Sequence, residues 1–238
     1  MRRRVVDAKQ RRSEILVATL FLVTAATSIY GVTLLDPILN APNYLAGVFP
    51  NKTAVVWGSL LWSINNIGIV FIAVALFPIL RRFDEVMAVG YLASRIIEGT
   101  IMMVGIAATL LLIPLSDAFL KAGQPQGSSF QALGDILKQA KFLGLTELSL
   151  PMLGLGGCLF TWQLFRHRLV PTFIALVGLI GYVIVLVGGL AGWFGLVDTA
   201  PGGSGTFLAV PVAVFEIILL PFWLFFRGLA TPSAAETI

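Results

Sequence analysis

The sequence predicts an all-α, polytopic membrane protein: six transmembrane helices in one bundle, both termini cytoplasmic, and a short amphipathic outer helix between the third and fourth spans. Three observations predict it. Of the 238 residues, 58% are apolar before the 24 glycines are counted, and the mean hydropathy is +0.93. Only 12% are charged, about half the share in a soluble domain. The apolar residues gather into six long runs that lack the alternation of barrel strands. Soluble, collagenous and disordered classes are excluded.

A bilayer core about 30 Å thick needs about 20 mainly apolar residues in a helix. The first run, Ile15 to Leu35, is closed by Asp36-Pro37, and the second, Ala54 to Leu80, is stopped by Arg81-Arg82. The third, Val86 to Leu112, ends near Pro114. Phe142 to Phe165, Leu169 to Phe194 and Phe207 to Phe226 complete the set. Residues 1–14 form a basic cytoplasmic segment, 15–228 the membrane domain and 229–238 a cytoplasmic tail. The first run is too long for a signal-peptide core and no small-x-small cleavage site follows, so it reads as a retained signal-anchor.

Cations orient the bundle. Arg2, Arg3, Arg4, Lys9, Arg11, Arg12, Arg81, Arg82, Arg166, Arg168 and Arg227 fall on the side of the termini, against Lys52, Lys121, Lys138 and Lys141 opposite. That asymmetry places both termini inside, in a multi-pass protein of the cell membrane. The net charge of +4 follows from this topology and from contact with anionic lipids, not from nucleic acid.

Of the outer segments, Ile38 to Thr53 reads as a packed loop. After Gly123-Gln124-Pro125-Gln126-Gly127, the residues Phe130, Leu133, Ile136, Leu137 and Ala140 recur at helical spacing, with Gln131, Asp135, Lys138 and Gln139 opposite. This is an amphipathic helix on the outer surface or an extension of the fourth span. Pro201-Gly202-Gly203-Ser204-Gly205 is an outer turn without the lysine of a phosphate loop. The single cysteine, Cys158, and single histidine, His167, exclude a disulfide and cannot alone build a zinc, haem or iron–sulfur site. No metal and no cofactor are expected.

Charge inside the hydrocarbon is the strongest local signal. Arg95 and Glu98 lie on the third span and Glu216 on the sixth, each costing about 2.5–3.5 kcal/mol at mid-helix. They must face the bundle interior or a wet cavity. Asn65 and Asn66 lie at a similar depth on the second span. Tyr91, Arg95, Glu98 and Met102 follow at spacings of four, three and four and share one face. Glu147, in the outer third of the fourth span, opens towards the same place. Trp62, Trp162, Gln163, Tyr182 and Trp223 are further lining candidates. One arginine faces two central carboxylates, so the Glu98/Glu216 pair is expected to share a labile proton. Gly154, Gly156, Gly157, Gly188 and Gly192 allow close helix approach, and Pro151, Pro211 and Pro221 kink spans or free carbonyls.

These residues resemble a bacterial membrane family, domain of unknown function 4386. The likeness rests on Leu76-Phe77-Pro78-Ile79-Leu80-Arg81-Arg82-Phe83 and on Leu92-Ala93-Ser94-Arg95-Ile96-Ile97-Glu98-Gly99. It continues through Gly157 to Pro171, then Gly178, Gly181 and Tyr182, and ends with Phe215-Glu216, Pro221, Trp223-Leu224 and Arg227-Gly228. The first span departs from the family's small-Gly-x-Leu-Tyr-Leu run with Ile15-Leu16-Val17-Ala18-Thr19-Leu20. The resemblance implies a helical membrane protein and carries no established activity.

Three functions fit the polar cluster. The first is binding or transport of a small amphiphile, lipid or cation at the midplane, with proton exchange at the carboxylates; six spans are few for a lone transporter, so a homo-oligomer is expected. The second is an intramembrane enzyme whose protonated glutamate acts on a prenyl-type lipid. The third is a structural or interaction subunit in which the cluster is interhelical glue. Membrane lipids are partners in all three.

Overall fold

The computed structural model describes residues 8–125, 129–200 and 203–230. Arg2, Arg3, Arg4, Gln126-Gly127, Pro201-Gly202 and the tail from residue 231 lie outside the described residues. All regular elements among the described residues are helical. Six helices are long and apolar enough to cross a membrane: Ala8–Leu39, Lys52–Leu80, Glu85–Lys121, Ser129–Arg166, Thr172–Trp193 and Ser204–Phe226.

Helix α1 (Ala8–Leu39) leads through a short α2 (Tyr44–Val48) to α3 (Lys52–Leu80). The turn after Leu80 ends at Asp84, whose carboxylate accepts from the Met87 amide at 3.0 Å and so caps α4 (Glu85–Lys121). With 37 residues, α4 is about 55 Å long. It outreaches a hydrocarbon core of about 30 Å. Its C-terminal part pairs with α5 (Ser129–Phe142), which is the first part of the fourth candidate span.

From α5 the chain passes through a π-helical turn, Leu143–Glu147, into α6 (Ser149–Arg166). Pro151 has no N–H for the carbonyl four residues back, that of Glu147. The indole of Trp193 donates to that oxygen instead, at 2.8 Å. Helix α7 (Thr172–Trp193) follows. The last span is broken into a 3₁₀ turn, Ser204–Ala209, α8 (Val210–Ala213), a second π segment, Val214–Leu219, and α9 (Leu220–Phe226). Pro221, two residues beyond that π segment, cannot donate to the Ile217 carbonyl within it and supplies a local reason for the shifted ladder.

The spans pack as a ring. Helix α1 lies on α3, α3 on α4, α4 on α6 and α6 on α7, and the last span closes the circle against α7 and α1. The half nearer the termini is filled by Val17, Phe21, Leu76, Leu80, Tyr91, Phe160, Leu164, Ile174, Phe215 and Leu224. Outward surfaces are apolar: Phe71, Val104, Leu111, Val187 and Phe222 are all more than half exposed, as lipid contact requires. At the end of the ring away from the termini, Tyr44 donates to Asp135 at 2.7 Å and Lys138 lies over its ring. Lys141 pairs with Asp36 at 3.4 Å. These contacts join α1, α2 and α5 into a cap.

At the opposite end Glu14 is fully buried. It accepts from Gln10 at 2.9 Å and from the Leu229 amide at 3.0 Å, and it pairs with Arg11 at 3.3 Å. Arg11 in turn donates to the carbonyls of Leu224 and Phe225. A helix leaves its last carbonyls without partners, and here the start of the chain satisfies those of α9.

Candidate functional site

One face of α4 carries Tyr91, Arg95, Glu98 and Met102 into the ring. The π segment of the last span brings Glu216 to the same level. Arg95 joins the two acids: its Nη1 donates to Glu98 Oε2 at 3.0 Å, and its Nη2 stands 3.6 Å from Glu216 Oε1. The side chains of Arg95 and Glu98 are only 3% and 5% exposed, that of Glu216 26%. Tyr182 of α7 donates to the same Glu216 Oε1 at 2.5 Å. The Tyr91 ring backs the guanidinium at 5.5 Å. Arg95 Nε and Tyr91 Oη are buried without a hydrogen-bond partner.

This assembly depends on Gly157. The Tyr182 ring lies across it so closely that any Cβ there would collide with the ring carbons. A larger residue on α6 would push Tyr182 off Glu216. Gly144 and Gly105 do the same for the crossing of the π turn on α4, where a Cβ at Gly144 would stand 2.5 Å from the Gly105 nitrogen.

Above the ion cluster is a cavity of about 370 Å³, lined from five of the six spans. Arg95, Glu98 and Glu216 form its polar floor. Its walls are largely apolar, with Phe21, Trp62, Ile69, Met102, Leu150 and Val212 among them. Thr24, Ala25 and Ser28 of α1 face Ala209, Ala213 and Ile217 of the last span across it. Ile29 at the rim is 57% exposed, and Ala209 and Ala213 are exposed too.

The candidate residues separate into three groups. Arg95, Glu98 and Glu216 meet, with Tyr91 beneath them. Asn65 also lines the cavity, while its amide nitrogen donates to Thr24 O of α1 at 2.9 Å. Asn66 and Glu147 are elsewhere. Asn66 donates to Gly99 O at 2.9 Å and borders a shallow outer groove beside Phe71 and Ile96. Glu147 accepts from Thr199, just beyond the C-terminal end of α7. Among the lining candidates, Trp62 faces the cavity and Tyr182 reaches Glu216. Trp162 is 40% exposed on the outside. The Gln163 amide, turned to satisfy both partners, bridges Leu80 O and Ala88 N at 3.2 Å, and Trp223 donates to Gly228 O. Sequence reasoning passed over Thr24, Ser28 and Glu14. The signal was present: Gln10, Glu14, Val17, Phe21, Thr24 and Ser28 recur at helical spacing along one side of α1.

The family profile described as "Domain of unknown function (DUF4386)" matches residues 16–228. The chain belongs to that family. No curated protein and no solved structure matches it. The DUF4386 match takes in all six candidate spans in part or whole and all seven candidate residues, from Asn65 to Glu216. Among the described residues, no cluster of three or more His, Cys, Asp or Glu side chains could hold a metal ion. The chemistry this DUF4386 bundle offers is that of a charged, hydrogen-bonding floor under an apolar chamber.

Proposed function

We propose that this protein binds and carries a small amphiphile within the cell membrane, with its termini cytoplasmic and with proton exchange at Glu98 and Glu216. The observation that carries this reading is the cavity of about 370 Å³ over the Arg95–Glu98–Glu216 floor. Small-molecule sites occupy about 300–1,000 Å³ and combine apolar walls with a few polar groups. The chamber lies between two packed clusters, one in the half of the ring nearer the termini and one at the far end.

Its rim supports sideways entry. Ile29, Ala209 and Ala213 lie on apolar helices between α1 and the last span, so a lipid-dissolved molecule meets the opening without leaving the bilayer. The charge count supports proton exchange: one guanidinium serves two carboxylates, and a low-dielectric site disfavours the uncompensated second charge. One observation favours a scaffold instead, since Asn65 and Asn66 both bond to backbone carbonyls of neighbouring helices.

Reconstitution into liposomes that trap a pH-sensitive dye separates the two. Alkylamines, fatty acids and monoacylglycerols are added in turn. At least one class should drive proton flux, and Glu98→Gln and Glu216→Gln should abolish it. A scaffold would give no flux with any of them, and both variants would only lower the unfolding temperature.

A further inference from the structure

We infer that the molecule held over this floor carries a primary amine, entering as an alkylammonium ion with its chain among the apolar walls. This rests on the amphiphile reading above and names the headgroup. The reason is that the polar groups facing the cavity are acceptors. Thr24 Oγ1 donates to Phe21 O at 3.0 Å, Ser28 Oγ to Ala25 O at 3.0 Å and Ser149 Oγ to Thr146 O at 3.2 Å. Each hydroxyl therefore has its proton engaged on its own helix and turns lone pairs towards the space. Asn65 directs its amide nitrogen at Thr24 O, which leaves its oxygen as the acceptor.

Glu216 is the carboxylate that opens onto the cavity, and both of its contacts, from Tyr182 and from Arg95, go to Oε1. Oε2 is left to accept. The donors nearby are withdrawn. The guanidinium donates to Glu98 at 3.0 Å and is paired in charge with Glu216 at 3.6 Å, and its Nε is sealed in protein. The Trp62 indole nitrogen lies on the edge that meets Gly31 of α1. A carboxylate or phosphate headgroup would face two acids already sharing the one guanidinium. An alcohol brings no charge with which to replace the proton shared by the acids. An ammonium ion matches both the charge and the acceptors, with three N–H groups to place. A quaternary ammonium carries the charge without donors. Arrival of the cation releases the proton shared by the acids, so one positive charge replaces another and no bond in the ligand changes.

The test uses the full chain in lipid nanodiscs, with empty nanodiscs subtracting partition into lipid. Radiolabelled octylamine, octyltrimethylammonium, octanol and octanoate share one chain length and differ in headgroup. Octylamine should bind saturably at a single site, about tenfold or more tighter than octyltrimethylammonium, because a site built of acceptors rejects an analogue that lacks the donors. Octanol and octanoate should not saturate. Glu216→Gln should remove the saturable component while the protein stays folded, and the wild-type series decides the matter even if that variant does not fold. If octanol or octanoate saturates as tightly as octylamine, the amine assignment is overturned and a midplane amphiphile site remains. If none of the four saturates, the amphiphile reading itself falls.

Discussion

Arg95 is the residue on which the polar floor turns. It is buried between two acids, its side chain only 3% exposed. Removing it leaves Glu98 as an unpaired charge in a low-dielectric core, which costs about 3–5 kcal/mol. Replacing both members of a buried pair by apolar groups of similar volume is often close to neutral. Arg95→Met should therefore lower the unfolding temperature sharply, and Arg95→Met/Glu98→Met should recover most of the loss in a thermal melt. Recovery failing entirely would mean that the pair is needed for packing and not only for charge balance. Gly157→Ala tests the other support. Overfilling a tight contact costs about 1–3 kcal/mol, and displaced Tyr182 should also loosen Glu216, seen as a change in that carboxylate's infrared band. The inward turn of Arg95, Glu98 and Glu216 was legible in the sequence, because lipid cannot solvate ions and three of them at one depth must meet or face water. The separate place of Asn66 was not. Adjacent residues on a helix point about 100° apart, so Asn65 and Asn66 cannot both face the same cavity.

At the scale of elements, the outer cap and the broken last span carry the departures from straight helices. The cap is joined through Tyr44, whose phenol is pushed above the ordinary tyrosine value by burial first and then by its hydrogen bond and charge contact with Asp135. A folded-state value above the unfolded one means that the protonated phenol stabilises the cap fully below about pH 10. That contribution is lost as pH rises through the ordinary tyrosine range and beyond. Tyr44→Phe should flatten the alkaline fall in stability, followed by melts at stepped pH. An equally steep fall in the variant would place the sensitive group elsewhere. Helical periodicity in 130–140 was readable beforehand, but its partner was not, since nothing local says that α4 continues past Pro114 to Lys121 and offers a second helix to pack on. The π segments were likewise hidden. Proline marks where a ladder loses a donor, while the replacement donor, Trp193 for the Glu147 carbonyl, comes from another span.

For the whole molecule, ring closure is the decisive feature. The start of α1 and the end of α9 are tied by Glu14 and Arg11, and further out the two spans face each other across the cavity. Glu14→Ala would leave the buried Leu229 amide without its acceptor, a loss of about 1–3 kcal/mol, read by thermal unfolding. An unchanged melting temperature would show that the tie does not hold the ring. The sequence by itself determined the solvent, the number of spans, the depth of the charged residues and the family, because hydropathy, length and charge are sums over local stretches and lipid penalises every exception. Only the tertiary structure decided that Glu98 and Glu216 share one guanidinium, that Tyr182 completes the set, and that an apolar chamber stands over them. Those facts depend on how six helices rotate and cross. Rotation is set by contacts such as Tyr182 on Gly157, made between residues far apart in the chain, and no run of neighbouring residues specifies them.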